Sequence, residues 1–353
     1  MAGAVLMTAC GGSTALKASP SPGPSATQHA SRPEARNYAT LVYDPIHKDL
    51  LLIGGQDASA GLVPSVWSFD AGSQKWHYIG TLPAGVEPSD GAAFDVAAGK
   101  VIVHASWLFY SSKALVSETW AFDPVTGAWE NRHPVQSPPP GICGCGSQMA
   151  YDEKAQKVVM FGGVNVQTMK ETSDTWTYDY VSNLWTKMPL PLDASRLPSA
   201  RNSDGFTYDN SADRIILFGG DADSGPAQGT WAYDYNTNSW ANLKPATSPQ
   251  SRSYGDLAYD KGADKVVLFG GLMGDSGVVT AETWTYDFKA NDWELKAPST
   301  SPSARGWQAM AFSQDANAVV IFGGGVDRNS PTDETWLYRT ATDEWSQMTQ
   351  AGS

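Results

Sequence analysis

Short apolar runs recur along the chain, and each one stops at a pair of glycines. "KVVMFGG" (157–163), "DRIILFGG" (213–220) and "DKVVLFGG" (264–271) are the clearest. After each comes a stretch in which aromatic and polar positions alternate, "DTWTYD" (174–179), "GTWAYD" (229–234) and "ETWTYD" (282–287), and then a third short run, "LWTKM" (184–188), "SWANL" (239–243) and "DWELK" (292–296). A run ending in Tyr-Asp precedes the glycines, as in "SQMAYD" (147–152). Period-2 alternation of β-branched and aromatic residues, bounded by Asp, Asn, Gly and Pro, predicts four short strands per unit.

The units repeat. Trp67/Trp76, Trp120/Trp129, Trp176/Trp185, Trp231/Trp240, Trp284/Trp293 and Trp336/Trp345 are each nine residues apart, and successive first members are 53, 56, 55, 53 and 52 apart. A four-stranded unit of this length cannot bury both faces alone and must stack on copies of itself, which points to a propeller. Of the 14 tryptophans only Trp107 and Trp307 stand outside the pairs, so tryptophan is read first as packing between units.

This grammar resembles the kelch repeat: an arginine, a strand ending Tyr-Asp, an apolar run ending in di-glycine, an aromatic-Asp strand and a closing tryptophan. The resemblance runs from residue 36 to about 350, and it implies an all-β, six-bladed kelch-type β-propeller with four antiparallel strands per blade around a central channel. Six copies beginning at Arg36 would leave every blade intact, without a strand exchanged between the ends. Two units depart from the pattern. The second has His104-Ala105 for di-glycine and Glu87 for arginine, and the third has Gly144 at the arginine position.

Antiparallel order puts the arginine position, the di-glycine and the residue two before the first tryptophan on one face, and the Tyr-Asp corners on the other. The first face carries the longer, Pro-rich loops, such as "MPLPLDASRLPSA" (188–200), and so is the better place to seek function. The resemblance to kelch propellers favours the same face and the channel mouth. Arg36, Arg201, Arg252 and Arg305 would form there a cationic ring for a protein, a glycan or an acidic ligand. Alternatively each pairs with a carboxylate from the set Glu118, Asp174, Glu282 and Glu334. Two residues after the arginines stand Tyr38, Tyr254 and Trp307. In an extended strand they would share the arginines' side and add an aromatic platform, or else pack against the next blade. Trp107, Phe109 and Tyr110 form a further aromatic cluster.

The formal charge of −13, with only 24 Lys and Arg, argues against nucleic acid or an anionic membrane surface as a partner. No apolar run is long enough for a transmembrane helix. Residues 1–10, "MAGAVLMTAC", resemble the end of a bacterial lipoprotein signal peptide, with Cys10 as the lipid-bearing residue and the written start inside the signal. Residues 11–35 read as a disordered Ser/Pro/Ala-rich tether, leaving 36–350 for the propeller. Together these segments place the chain outside the bacterial cell membrane, anchored to it or secreted.

Chemistry is harder to find. Cys143 and Cys145 are the remaining cysteines; outside the cell a disulfide between them is one reading, although so small a ring is strained. Some kelch-like propellers are copper oxidases and others sugar-acid epimerases. The five histidines show no metal-ligand spacing and no hydrolase triad, so neither a metal nor another cofactor is expected. His104 and Glu87 are the first residues to test for acid–base chemistry on a small carbohydrate, the alternative to a binding module.

Overall fold

In the computed structural model of this chain, the described residues are 30–84, 86, 91–108, 115–138, 142–143, 148–165, 168, 170–222, 225–274 and 277–348. Residues Ser31–Ser353 form one compact unit. The described residues contain no α-helix, so none is long and apolar enough to cross a membrane. Strands dominate instead, in six four-stranded antiparallel sheets, each built from four strands in sequence order. Their first strands are Thr40–Asp44, Ala92–Asp95, Gln148–Asp152, Gly205–Asp209, Asp256–Asp260 and Ala309–Ser313. We number the sheets 1 to 6 accordingly.

The spacing of nine follows from the last hairpin of each sheet. In sheet 3, Thr175–Asp179 pairs with Leu184–Lys187 so that Tyr178 lies opposite Trp185. The residue two after the first tryptophan therefore faces the one nine after it, and their rings pack with centroids 5.1 Å apart. Phe69/Trp76, Phe122/Trp129, Tyr233/Trp240, Tyr286/Trp293 and Tyr338/Trp345 repeat the pair at 4.7 to 5.1 Å. Cross-strand aromatic pairs of this kind are the unit of sheet stabilisation. In sheets 1 to 5 an Asp ends the third strand and begins the turn, where its carboxylate accepts backbone N–H groups, as Asp179 does from Ser182; in sheet 6 the position is Arg339.

The sheets follow one another in a closed cycle. Each hydrophobic cluster spans two sheets: 1 with 2, 2 with 3, onward to 5 with 6, and finally 6 with 1. The second tryptophan also ties neighbours together. Its indole N–H donates to a threonine of the preceding sheet in Trp185–Thr119, Trp240–Thr175, Trp293–Thr230 and Trp345–Thr283, at 2.8 to 3.0 Å. Trp76 reaches Thr335 in the same way at 3.1 Å, so sheet 1 closes onto sheet 6 as any other pair does, and among the described residues no strand is exchanged.

Sheet 2 differs where its sequence does. Without di-glycine to end it, the second strand continues through His104-Ala105 over Lys100–Leu108, nine residues against the five of Lys157–Phe161.

Candidate functional site: the channel mouth

The first strands of all six sheets enclose a central channel of about 270 Å³. The four arginines do not project into it. Arg36, Arg201, Arg252 and Arg305 are at most 2% exposed and lie in the junctions between sheets. Each Nη1 donates to the first glycine carbonyl of its own sheet: Arg36 to Gly54, Arg201 to Gly219, Arg252 to Gly270 and Arg305 to Gly323. Meanwhile the arginine carbonyl accepts the N–H of the second glycine of the preceding sheet, Gly324, Gly163, Gly220 and Gly271 respectively. Arginine and di-glycine together are thus a clasp joining two sheets.

Carboxylates complete part of it. Arg252 pairs with Glu282 at 2.7 Å and Arg305 with Glu334 at 2.5 Å, while Arg36 uses Glu34 at 2.7 Å. Glu282 and Glu334 also accept the indole N–H of Trp284 and Trp336. Asp174 instead pairs with Lys187, and Glu118 accepts from Trp120. Arg201 bonds the Ser199 hydroxyl. Burial lowers Arg36 and Arg201 to about 10, which leaves both charged at neutral pH. With donors committed to the junctions, the expected cationic ring for an acidic ligand is not formed; a buried charge needs these partners more than the mouth needs the charge.

The aromatic positions behave otherwise. Tyr38, Ser203, Tyr254 and Trp307 have φ of 57°, 56°, 56° and 62°. The left-handed backbone breaks the extended alternation that would have put them beside the arginines, and turns their side chains into the channel instead. They are also linked to one another: Tyr38 N–H donates to Trp307 C=O, Trp307 to Tyr254, and Tyr254 to Ser203, each at 3.0 Å. Three aromatic rings from sheets 1, 5 and 6 meet there, with Tyr254–Trp307 centroids 5.2 Å apart, Tyr38–Tyr254 6.2 Å and Tyr38–Trp307 6.3 Å. Arg328, in the loop after the glycines of sheet 6, donates to the Tyr254 hydroxyl and lies 5.6 Å from that ring's centroid.

His104 is not at the mouth. It is 1% exposed, packs edge-on against Trp185 at 5.3 Å, and burial lowers it to about 4, so it stays neutral. Glu87, Phe109, Tyr110, Cys10 and Cys145 lie outside the described residues, as do the side chains of Trp107 and Cys143. The backbone of Cys143 forms the strand Ile142–Cys143, paired with Val164–Asn165. Among the described residues no three His, Cys, Asp or Glu side chains gather as a metal site would require.

Two residues that the sequence reading passed over line the channel just below the aromatics. Asp204 is 2% exposed, and neither carboxylate oxygen has a hydrogen-bond partner. Asp256 is half-buried and accepts the Leu257 N–H at 2.8 Å. Burial pushes both carboxyls up to about 7. The signal was present: "NSDGF" and "YGDLA" put a charge at the entry of otherwise apolar first strands, where buried acids point to a functional site.

A model of the KLHDC2/KLHL20/DRC7 Kelch-repeats domain matches residues 24–195 and again 154–353. The chain is similar to Leucine-zipper-like transcriptional regulator 1 of Mus musculus, 23% identical over 66% of the chain and 28% of that protein. It is similar also to Putative protein tag-53 of Caenorhabditis elegans, 22% identical over 67% of the chain and 18% of that protein. F-box/kelch-repeat protein At1g51550 of Arabidopsis thaliana is 28% identical over 51% of the chain and 39% of its own length. The matches thus span well under half of each relative. The chain belongs to the kelch-repeat family, and its four-stranded sheets are the blades of a kelch β-propeller.

Proposed function

We propose that this propeller is an interaction module that seats a protein partner on its long-loop face, over the mouth formed by Tyr38, Tyr254 and Trp307. The observation that carries the reading is the meeting of these three rings from three different sheets, in left-handed positions, at the opening of a channel. Rigid aromatic side chains give large contact area at little entropic cost, and they dominate interface energetics. Kelch-repeat domains as a class mediate protein binding, in keeping with this reading. The lipobox-like "LMTAC" and the polar tract behind it support display outside a bacterial membrane, with Cys10 as the anchor.

Site-directed photo-crosslinking tests the face. A benzophenone side chain at Asn329, beside the mouth, is expected to capture a discrete partner, and one at Thr126, on a Tyr-Asp-side turn, is not. Binding of that partner, once purified, should fall at least about ten-fold in Tyr254→Ala. Capture only from Thr126, or binding indifferent to Tyr254→Ala, would overturn the proposal. For the anchor, Cys10→Ala should move the protein from the membrane fraction to the soluble one.

A further inference from the structure

Among the described residues the charges lining the channel are Glu153, Asp204, Asp256 and Lys261; Lys261 lies 3.8 Å from Glu153 at the far end, and Arg201, turned into the junction behind the wall, offsets part of the Asp204 charge without bonding it. Near the mouth stand the two carboxyls, and Asp204 is a buried acid whose oxygens have no hydrogen-bond partner among the other described residues. Nearly all buried polar atoms find a partner, so an orphaned carboxylate in a cavity wall marks a place where something else donates. The ring of aromatics above is suited to the same sign of charge. The chain itself rests a cation on it, since the Arg328 guanidinium carbon is 5.6 Å from the Tyr254 centroid and 6.0 Å from that of Trp307. Among the described residues the junction arginines Arg36 and Arg305 offer an anion no cradle, since the five N–H groups of each are directed into the junctions.

We propose that the mouth and upper channel bind a primary alkylammonium group, with Asp204 and Asp256 as counter-ions and Tyr38, Tyr254 and Trp307 as its walls. The inference deepens the interaction-module reading and rests on it for the source of the group, the lysine side chain or N-terminus of a protein partner. A thin, flexible chain ending in a compact cation fits a channel of this size. The aromatic walls desolvate its methylenes while the carboxyls meet the charge. Arg328 is then a competitor at the outer edge, positioned to be displaced or to repel.

The test is isothermal titration calorimetry on the full chain with n-butylammonium chloride, and with sodium butyrate as the anion of like size. Butylammonium is expected to bind and butyrate not. Asp204→Asn, which removes the charge but keeps the shape, should weaken butylammonium at least about ten-fold. Asp256→Asn should weaken it by a smaller factor, and Arg328→Gln should strengthen it. Circular dichroism checks that each variant is folded. Preference for butyrate, or an affinity unchanged in both Asp204→Asn and Asp256→Asn, overturns the proposal. A lysine-containing peptide and its Nε-acetylated form distinguish the source: tighter binding of the unmodified peptide supports a protein-borne ammonium, whereas butylammonium binding without peptide binding overturns that part. Partner binding that is lost in Tyr254→Ala yet intact in Asp204→Asn removes the ammonium seat and leaves the interaction module standing.

Discussion

Gly219 and Gly274 share a left-handed backbone, with φ of 74° and 53°, but not a neighbourhood. A Cβ on Gly219 would sit 2.3 Å from the Arg252 carbonyl oxygen, while one on Gly274 would meet no atom of the described residues within 4 Å. Gly274→Ala should therefore cost about 1 kcal/mol, the conformational penalty alone, and Gly219→Ala about 3 kcal/mol or more because the clasp must open. Urea denaturation of the two variants checks the difference. Asp204 makes a second prediction at this scale. Its carboxyl is held at about 7 against an ordinary 3.8, so between these values the folded state keeps a proton that the unfolded state has lost. Its contribution to stability is complete below the unfolded value and disappears as pH rises through about 7. Asp204→Asn should consequently gain on the parent by roughly 2 to 4 kcal/mol on going from pH 4 to pH 8. Equal pH profiles for the two proteins would contradict the burial argument. Residues like these were the least legible in the sequence. Nothing in "RNSDG" announces that Ser203 is left-handed, and extended-strand alternation put the aromatics beside arginines that in fact point the other way. The arginines themselves were visible as a repeated position, but their charge suggested a ligand where the fold uses it to join peptide groups.

Strands and hairpins, by contrast, could be read almost directly, because the signal that makes them is local. The tryptophan interval of nine is a hairpin register written in one dimension, since the residue two after the first tryptophan pairs with the second. The same element explains an exception. Trp129 is the one second tryptophan whose indole N–H has no partner among the described residues, and the position that supplies a threonine hydroxyl in every other junction is Val66 in sheet 1. Removing the acceptor elsewhere should reproduce the defect: Thr175→Val, which orphans the Trp240 N–H, should cost about 1 to 2 kcal/mol. Conversely, Val66→Thr should show a favourable coupling of about 1 kcal/mol with Trp129, read from a double-mutant cycle with Trp129→Phe. No coupling would mean that the hydroxyl does not reach. Sheet 2 shows the limit of local reading. Loss of its di-glycine was plain, but the outcome, a strand that runs on through His104 and buries it against Trp185, depended on a neighbour 81 residues away in sequence.

At the scale of the molecule, closure is ordinary. The junction of sheet 6 with sheet 1 has the same clasp, the same Trp–Thr bond and the same kind of shared core as the others, so the position of the chain ends carries no structural burden. Arg32 and Met348 border one small cavity beside this junction. A permutant joining these residues by about eight Gly/Ser residues and opened between the exposed Ser299 and Thr300 should fold, with a melting temperature within about 5 °C of the parent. Failure to fold would show that the order of the chain matters to closure. Clasps, however, are not evenly distributed. Among the described residues they join sheets 3 to 4, 4 to 5, 5 to 6 and 6 to 1, whereas the sequence offers Glu87 and Gly144 in place of arginine on either side of sheet 2. Amides of Ala92–Asp95 should accordingly exchange hydrogen through a smaller opening than those of Asp256–Asp260.

In mechanical terms, the five sheets joined by clasps should act as a stiff arc, with sheet 2 as the more compliant link that completes it. Tyr38, Tyr254 and Trp307 all belong to that arc, so a partner seated at the mouth should meet walls that do not yield to it. Such a site would select by shape rather than by adaptation, with any give taken up on the far side of the axis.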